Sequence, residues 1–565
     1  MDDRAPMLQC SNRDTDMVPA LPFGNASLHI MATATSLNSI SVDSSKAHSA
    51  TDKRSLNNAL YAILLSLVTL LAAFLRIHAL TAKSFWLDEG LSLEIARLPL
   101  PQLIHALWFG DANMSLYLLL LRSWLRFGSS EGFIRGLSVL FSVATVPPTF
   151  FLGARLFGRR VGLLAALLLA INAYHIRYAQ EARSYAMAVF FVVVATWILA
   201  RNLQNPATAH WGMYAVVCAL ATYSHFLSAL LVPAHTISLL SLRRDEIPYR
   251  NFLFSLLAFG AMISPIAIYV ALQAGMSPIS WVPALQPDSL LILGVDFSGV
   301  YGRTLLILDV LALGSAALGA ARGRRGGAEA IDAWGYTLLF SWLVAPVVMV
   351  VTVSLVKPIF VPRYLSFCLP AMLLLVAVGI ARLRPAVLCW GLFVAISVCS
   401  IFGVVRYYQV DFEMTRQDWR AVTSYVLDRA QPGDSIFFYR SGGEAPFTYY
   451  SHKLNSAVLR PNTLNEHWLN IVDSQDPSDP KPQELVTVPG TNLRAAPPGA
   501  GRVWLVLMFL DGNKQEYDRA DAVAKWLSDG RQQIDARDFT SLNVVLFDRT
   551  ASGPPPSTKQ ASFNR

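Results

Sequence analysis

The chain has 565 residues, of which 54% are hydrophobic and only 15% charged, with a mean hydropathy of +0.41. Soluble domains carry about 25% charged residues, so the composition excludes an ordinary soluble globular protein and implies a polytopic membrane protein. The net charge of +8 and pI near 9.2 do not point to nucleic acid. The basic residues fall in short loops between apolar runs, as membrane orientation signals do, and there is no aromatic-basic platform or zinc-finger spacing.

Residues 1–55 are polar, aperiodic and rich in Ser, Thr and Asn, which predicts a disordered cytoplasmic tail. The first apolar run, LYAILLSLVTLLAAFLRIHAL (60–80), is long enough to cross a bilayer. It lies too far from the start for a secretory signal and is expected to be an uncleaved anchor. Next comes SFWLDEGLSLEIARL (84–98), with Asp88 and Glu89 side by side. An Asp at mid-helix costs roughly 2.5–3.5 kcal/mol on insertion scales, so these acids belong at an interface or in a polar cavity. The run NMSLYLLLLRSWLRFG (113–128) contains Arg122 and Arg126 and is short for a span. It is expected to lie along the bilayer.

Further apolar runs follow at approximately 133–156, 161–174, 185–203, 211–224, 226–242, 252–274, 304–321, 334–356, 364–381 and 386–405. With the first span they make about eleven. This arrangement puts Lys53/Arg54, Arg159/Arg160, Arg201, Arg243/Arg244, Arg322/Arg324/Arg325 and Arg382/Arg384 all inside. Asp88, Glu89 and everything from 407 onward then lie outside. In that C-terminal part, DWRAVTSYVLDRAQPGDSIFFY reads as helix, Pro-Gly turn and strand. RVWLVLMFL and SLNVVLFD read as strands around a helical pattern at 519–528. The expected organisation is a membrane module over 56–406, an extracytoplasmic α/β domain over 407–550 and a disordered tail over 551–565. The cysteines are Cys10, Cys218, Cys368, Cys389 and Cys399. None lies in the C-terminal part, so no disulfide framework is expected. No phosphate-loop or dinucleotide fingerprint occurs anywhere.

Charges on the wrong side for orientation are the informative ones. AYHIRYAQEARSYAM (173–187) brings His175, Arg177, Gln180, Glu181 and Arg183 to the outer interface. KPIFVPRYLSF adds Lys357, Arg363 and Tyr364, and TYSHFLS adds His225. Guanidinium forms bidentate, charge-assisted bonds to phosphate oxygens, so the set suits an anionic ligand. The plainer reading is pairing with lipid phosphates or with Glu181 and Asp88. The outer loop AGMSPISWVPALQPDSLLILGVDFSGVYG (274–302), with Trp281, is read either as a lid over the site or as an ordinary connection.

An outward-facing enzyme has no nucleotide-sugar supply, so a donor would arrive on a lipid phosphate. Its leaving phosphate needs positive charge rather than a proton donor, and the acceptor hydroxyl needs a carboxylate base. One acid plus several interfacial arginines is a sufficient kit for glycosyl transfer. Glycoside hydrolases instead flank the bond with two carboxylates.

The blocks FWLDEGLS, GDANMSLYLLLLRSWLRFG, RLFGRRVGLLAALLLAINAYHIRYAQEARSYAM, TYSHF and VPRYLSFCLPAMLLL, in this order over about 60–385, resemble the bacterial GT-C glycosyltransferases. The resemblance is to family 39 and its relatives, which include protein O-mannosyltransferases and lipid A aminoarabinose transferases. It implies an α-helical GT-C membrane module with juxtamembrane helices and a catalytic acid in the first outer loop. Carried onto this chain, Asp88 is the general base and Glu89 its helper or an acceptor-orienting group. Glu181 is a supporting or acceptor-binding carboxylate. Arg183, Arg363 and Arg177 hold the donor phosphate, with Tyr185, His225 and Tyr364 among the substrate-binding residues. Many relatives carry His-Pro-Pro before the Leu-Tyr of the juxtamembrane helix; here Asn113, Met114 and Ser115 stand in that place, so no His role transfers there.

The implied partners are a polyprenyl-phosphate sugar donor, an acceptor that is protein, lipid or glycan, and the bilayer of the inner membrane. No cofactor is assigned. Asp88, Glu89 and Glu181 offer hard oxygen ligands for a divalent cation, without a dedicated ligand spacing. The rival reading is a lipid or solute transporter or flippase, which predicts internal repeats and paired broken helices; no convincing repeat is visible. A membrane anchor presenting the C-terminal domain would leave the acids and arginines without a purpose.

Overall fold

The computed structural model describes residues 56–549, apart from 110–111, 244–245, 273–281, 300–301, 326–329, 410–416, 432–433, 440–441, 459–463, 471, 474–485, 491–492, 496–500 and 509–513. The two predicted tails, Trp281 with the first part of its loop, and the Pro432-Gly433 turn therefore lie outside the described residues.

Among the described residues, eight helices are long and apolar enough to cross a membrane: Leu56–Ile77, Glu131–Phe157, Tyr185–Gln204, Tyr249–Leu272, Arg303–Arg322, Ala333–Ser354, Pro362–Arg382 and Ala386–Gln409. Arg159–Ala170 and Ala173–Ala179 make a ninth if taken as one span, bent by 59°. Three of the apolar runs thus take a form other than one long helix. The run at 161–174 is the bent pair, that at 211–224 is the 14-residue helix Trp211–Ser224, and that at 226–242 holds the shorter Phe226–Leu239. Fourteen residues rise only about 21 Å against a hydrocarbon core of about 30 Å.

The bend has a local cause. Arg76 is fully buried and its guanidinium donates to the last carbonyls of the first half, Leu169 (3.1 Å) and Ala170 (2.9 Å). The Asn172 side chain then accepts from the His175 N–H at 2.9 Å and caps the second half. Both orphaned helix ends are satisfied inside the protein, so the chain can turn there without exposing backbone to lipid.

Between the first two long spans lie three short helices, α1 (Leu87–Arg97), α2 (Leu100–Phe109) and α3 (Ser115–Trp124). The last has ten residues, about 15 Å of rise, and is too short to cross a bilayer.

The C-terminal part holds a five-stranded sheet of order β2-β1-β6-β8-β7. Its strands are β1 (Asp434–Tyr439), β2 (Leu464–Asn470), β6 (Val503–Met508), β7 (Gln532–Phe539) and β8 (Leu542–Asp548). Strands β1, β2 and β6 are parallel, β8 pairs antiparallel with β6, and β7 pairs antiparallel with β8 at the edge. The short strands β3 (Val472–Asp473), β4 (Val486–Thr487) and β5 (Leu493–Ala495) form a separate antiparallel sheet.

Strand alternation divides the large sheet between two cores. Phe437, Leu505 and Val545 pack on Val523 and Leu527 of the helix Lys514–Leu527. Phe438, Val506 and Val544 belong to a core that also contains Trp419 and Tyr450 of the C-terminal part, and Phe85, Leu93 and Tyr117 of the segment after the first span. One continuous core therefore joins the sheet to the acid-bearing helix.

Candidate active site

Asp88 and Glu89 occupy the first turn of α1, where acids complement the helix dipole. Consecutive helical residues point about 100° apart, and the two carboxylates part company. Glu89 turns inward and is fully buried. It receives Arg135 Nε at 2.8 Å and Nη2 at 2.7 Å, and the Ala182 N–H at 2.9 Å. It also accepts from the Trp86 N–H at 3.4 Å, which closes the first turn of its own helix. Arg135 spends its remaining donors on the carbonyls of Leu80, Lys83 and Ser84.

Asp88 faces the other way, with its side chain 21% exposed and 3.6 Å from Arg183 Nη2. Arg183 also donates to Ser92 Oγ at 3.3 Å, and Ser92 in turn bonds the Asp88 carbonyl at 2.7 Å. The arginine thus lies across one face of α1, touching positions four apart. Its backbone is set by Ser138, whose hydroxyl donates to the Arg183 carbonyl at 2.9 Å and meets Tyr117 Oη at 2.9 Å.

Arg363, on the turn Pro362–Cys368, donates to Tyr185 Oη at 3.2 Å and lies within electrostatic reach of Asp88. His225 is buried between the rings of Tyr364 (4.9 Å) and Tyr185 (5.8 Å), in reach of Arg183 and Arg363. Neither of its ring nitrogens has a hydrogen-bond partner among the described residues. The turn that carries it is anchored by Asn113, whose side chain accepts from the Phe226 N–H at 3.0 Å. Arg177 and Glu181 stand 3.9 Å apart one helical turn along. They join the rest through Tyr178, whose ring lies 5.8 Å from the Arg177 guanidinium and 5.1 Å from Tyr185.

The nine residues given catalytic or binding roles from the sequence therefore fall in one connected neighbourhood, although they span 276 positions (88 to 364), whereas His175 and Gln180 bond Arg76 and Tyr407 instead. The sequence reading passed over Arg135, Ser92, Ser138 and Tyr178. An arginine inside the apolar run at 133–156 was itself a signal, because intramembrane charges are costly and usually paired. Among the described residues, no group of three or more His, Cys, Asp or Glu side chains is placed to hold a metal ion.

The helical membrane bundle, with a carboxylate and several guanidiniums gathered at the ends of its helices, shares its fold with solved structures. ArnT from Cupriavidus metallidurans in the apo state superposes with a TM-score of 0.54 at 11% identity, over 88% of this chain and 100% of that one. The same enzyme bound to undecaprenyl phosphate gives 0.53 at 12% identity, over 87% and 99%. The archaeal oligosaccharyltransferase AglB from Archaeoglobus fulgidus is more distant, with a TM-score of 0.44 at 12% identity over 70% of this chain and 64% of that one. Within the chain, residues 114–269 match the family model of the dolichyl-phosphate-mannose-protein mannosyltransferases. No curated protein matches by sequence at a significant level. The chain thus has the GT-C fold, and its residues 114–269 are similar to membrane mannosyltransferases.

Proposed function

We propose that this protein moves a sugar from a polyprenyl-phosphate carrier to an acceptor hydroxyl on the extracytoplasmic face of the inner membrane, with Asp88 as general base. The observation that carries the reading is the Asp88–Arg183 pair: a partly exposed carboxylate 3.6 Å from a guanidinium, with Arg363 close by. An acid that must accept a proton and cations that must accept a phosphate are brought together there. The undecaprenyl phosphate bound by the similarly folded ArnT supports a lipid-phosphate donor here.

In this mechanism the donor's phosphate engages Arg183 and Arg363, with Arg177 at the margin. Arg183 turns from Asp88 toward the phosphate, leaving the carboxylate to accept a hydrogen bond from the acceptor hydroxyl. That hydroxyl gives its proton to Asp88 as its oxygen bonds to the anomeric carbon. The anomeric carbon–phosphate oxygen bond breaks, its electron pair stays on the phosphate, and the two guanidiniums stabilise the growing charge. Tyr185, His225 and Tyr364 line the sugar side, where the His225 ring nitrogens can meet sugar hydroxyls or phosphate. Glu181 holds Arg177 in place. Glu89 has its oxygens occupied by Arg135 and backbone N–H groups, so its part is to orient the turn rather than to take a proton.

The test is to incubate membranes with a panel of radiolabelled polyprenyl-phosphate sugars, comparing the wild type with Asp88→Asn. Transfer by the wild type alone supports the assignment; equal transfer by both proteins removes Asp88 from the chemistry.

A further inference from the structure

The turn that carries Asp88 is built from residues 80–89, and its backbone is held from two sides. Its carbonyls, at Leu80, Lys83 and Ser84, accept from Arg135 of the membrane module. Its N–H groups go the opposite way. The Phe85 N–H donates to Tyr450 Oη at 2.8 Å, and the Leu87 N–H donates to Gln417 Oε1 at 3.0 Å. The same Gln417 oxygen accepts from Trp419 Nε1 at 2.8 Å, which fixes the amide's orientation.

Further bonds brace this side of the turn. Ser84 Oγ lies 3.3 Å from the Gln417 carbonyl, and Arg420 donates to the Thr81 carbonyl at 3.1 Å and to Glu131 at 2.5 Å. Two residues beyond Asp88, α1 passes so close to the C-terminal part that a Cβ on Gly90 would lie 2.6 Å from Pro446 Cδ. Phe85, Gln417, Trp419 and Tyr450 are all buried and Leu87 is half-buried, so water is a poor substitute partner for the Phe85 N–H above all.

We infer that Gln417 and Tyr450 are positioning residues of the active site: they fix the height and direction of the first turn of α1, and through it the Asp88 carboxylate. The sheet-bearing part is then a working component of the catalytic centre. A general base acts only within hydrogen-bond reach of its proton, and a displacement of about 1 Å costs on the order of 100-fold in rate. The clamp's own hydrogen bonds run to the turn over 80–89 and not to the donor-binding Arg363 or His225, so donor affinity should follow the clamp much less than kcat does. The inference rests on Asp88 being the base.

The experiment uses the full-length protein in detergent or nanodiscs, with Tyr450→Phe, Gln417→Met and Asp88→Asn assayed side by side for kcat, donor KM and thermal unfolding midpoint. Tyr450→Phe and Gln417→Met are expected to lower kcat by about tenfold or more each, with donor KM within twofold of the wild type. The double variant should fall further toward the Asp88→Asn level. Wild-type kcat in both single variants overturns the inference, as does a loss of activity that only tracks a lowered unfolding midpoint and a raised donor KM. Full activity in Asp88→Asn would instead overturn the assignment of the base, whatever the clamp variants do.

Discussion

Arg135 grips Glu89 with two parallel bonds, Nε to Oε1 at 2.8 Å and Nη2 to Oε2 at 2.7 Å, in a place where both side chains are almost wholly shielded from solvent. The fork matches the carboxylate's geometry, and the remaining lone pairs are met by backbone donors. Removing one member of such a pair strands the other charge, at a cost of about 3–5 kcal/mol. Glu89→Gln should therefore lower the thermal unfolding midpoint markedly, and Glu89→Gln with Arg135→Met should recover part of the loss. A single variant as stable as the wild type would show that the pair contributes nothing to the fold.

The adjacent acid should behave in the opposite way. Asp88 makes one longer ion pair and is partly exposed, and surface-type pairs contribute only about 0–1 kcal/mol. Asp88→Asn should leave the unfolding midpoint nearly unchanged while kcat falls roughly 100- to 10,000-fold. Measuring both quantities on one preparation separates the roles of neighbours that sequence treats alike.

Arg363→Lys retains the charge but loses the planar fork that meets phosphate oxygens bidentately, and it loses the bond to Tyr185 Oη. Donor KM should rise about tenfold or more, with acceptor KM little changed; Arg363→Ala should do the same more severely. An effect confined to the acceptor would take Arg363 out of the phosphate role.

The proposed orientation places residues 88 and 129 outside and Arg159 inside. In a background freed of native cysteines, Ser129→Cys should label with a membrane-impermeant maleimide on intact spheroplasts. Arg159→Cys should label only after permeabilisation. External labelling at 159 would invert the topology and with it the face on which transfer is proposed.

Helix Leu369–Arg382 meets Arg303–Arg325 at Gly379, where an added Cβ would lie 1.9 Å from the Ala312 carbonyl oxygen. Small residues permit such close approach in membrane helices. Gly379→Ala should push the helices apart and cost about 1–3 kcal/mol, read as a lower unfolding midpoint. An unchanged midpoint would mean the helices separate freely.

Much of the site was legible because charge is costly in a membrane and therefore conspicuous there. Asp88, Arg177, Arg183, His225 and Arg363 stand out against apolar neighbours, and family-like blocks order them along the chain. What distinguishes Asp88 from Glu89 was not legible. Both occupy the first turn of one helix, and only the position of Arg135, 46 residues away on another helix, decides which carboxylate is consumed. The shape that each apolar run takes was also beyond the reach of hydropathy. The run at 161–174 bends because Arg76, far off in sequence, caps the buried helix end.

The sequence by itself determined the class of molecule, the apolar runs, the α/β character of the C-terminal part and the set of charged residues that converge. These follow from composition and period, which act through near neighbours. Only the tertiary structure decided how that set is divided into a buried brace and an accessible acid, and that the turn bearing the acid is held by Gln417 and Tyr450. The physical reason is that backbone N–H and C=O groups in an irregular turn have no partner within their own segment. What satisfies them, and so where the turn points, is settled by Arg135, 51 to 55 positions away, for the carbonyls and by Gln417 and Tyr450, more than 300 positions away, for the N–H groups.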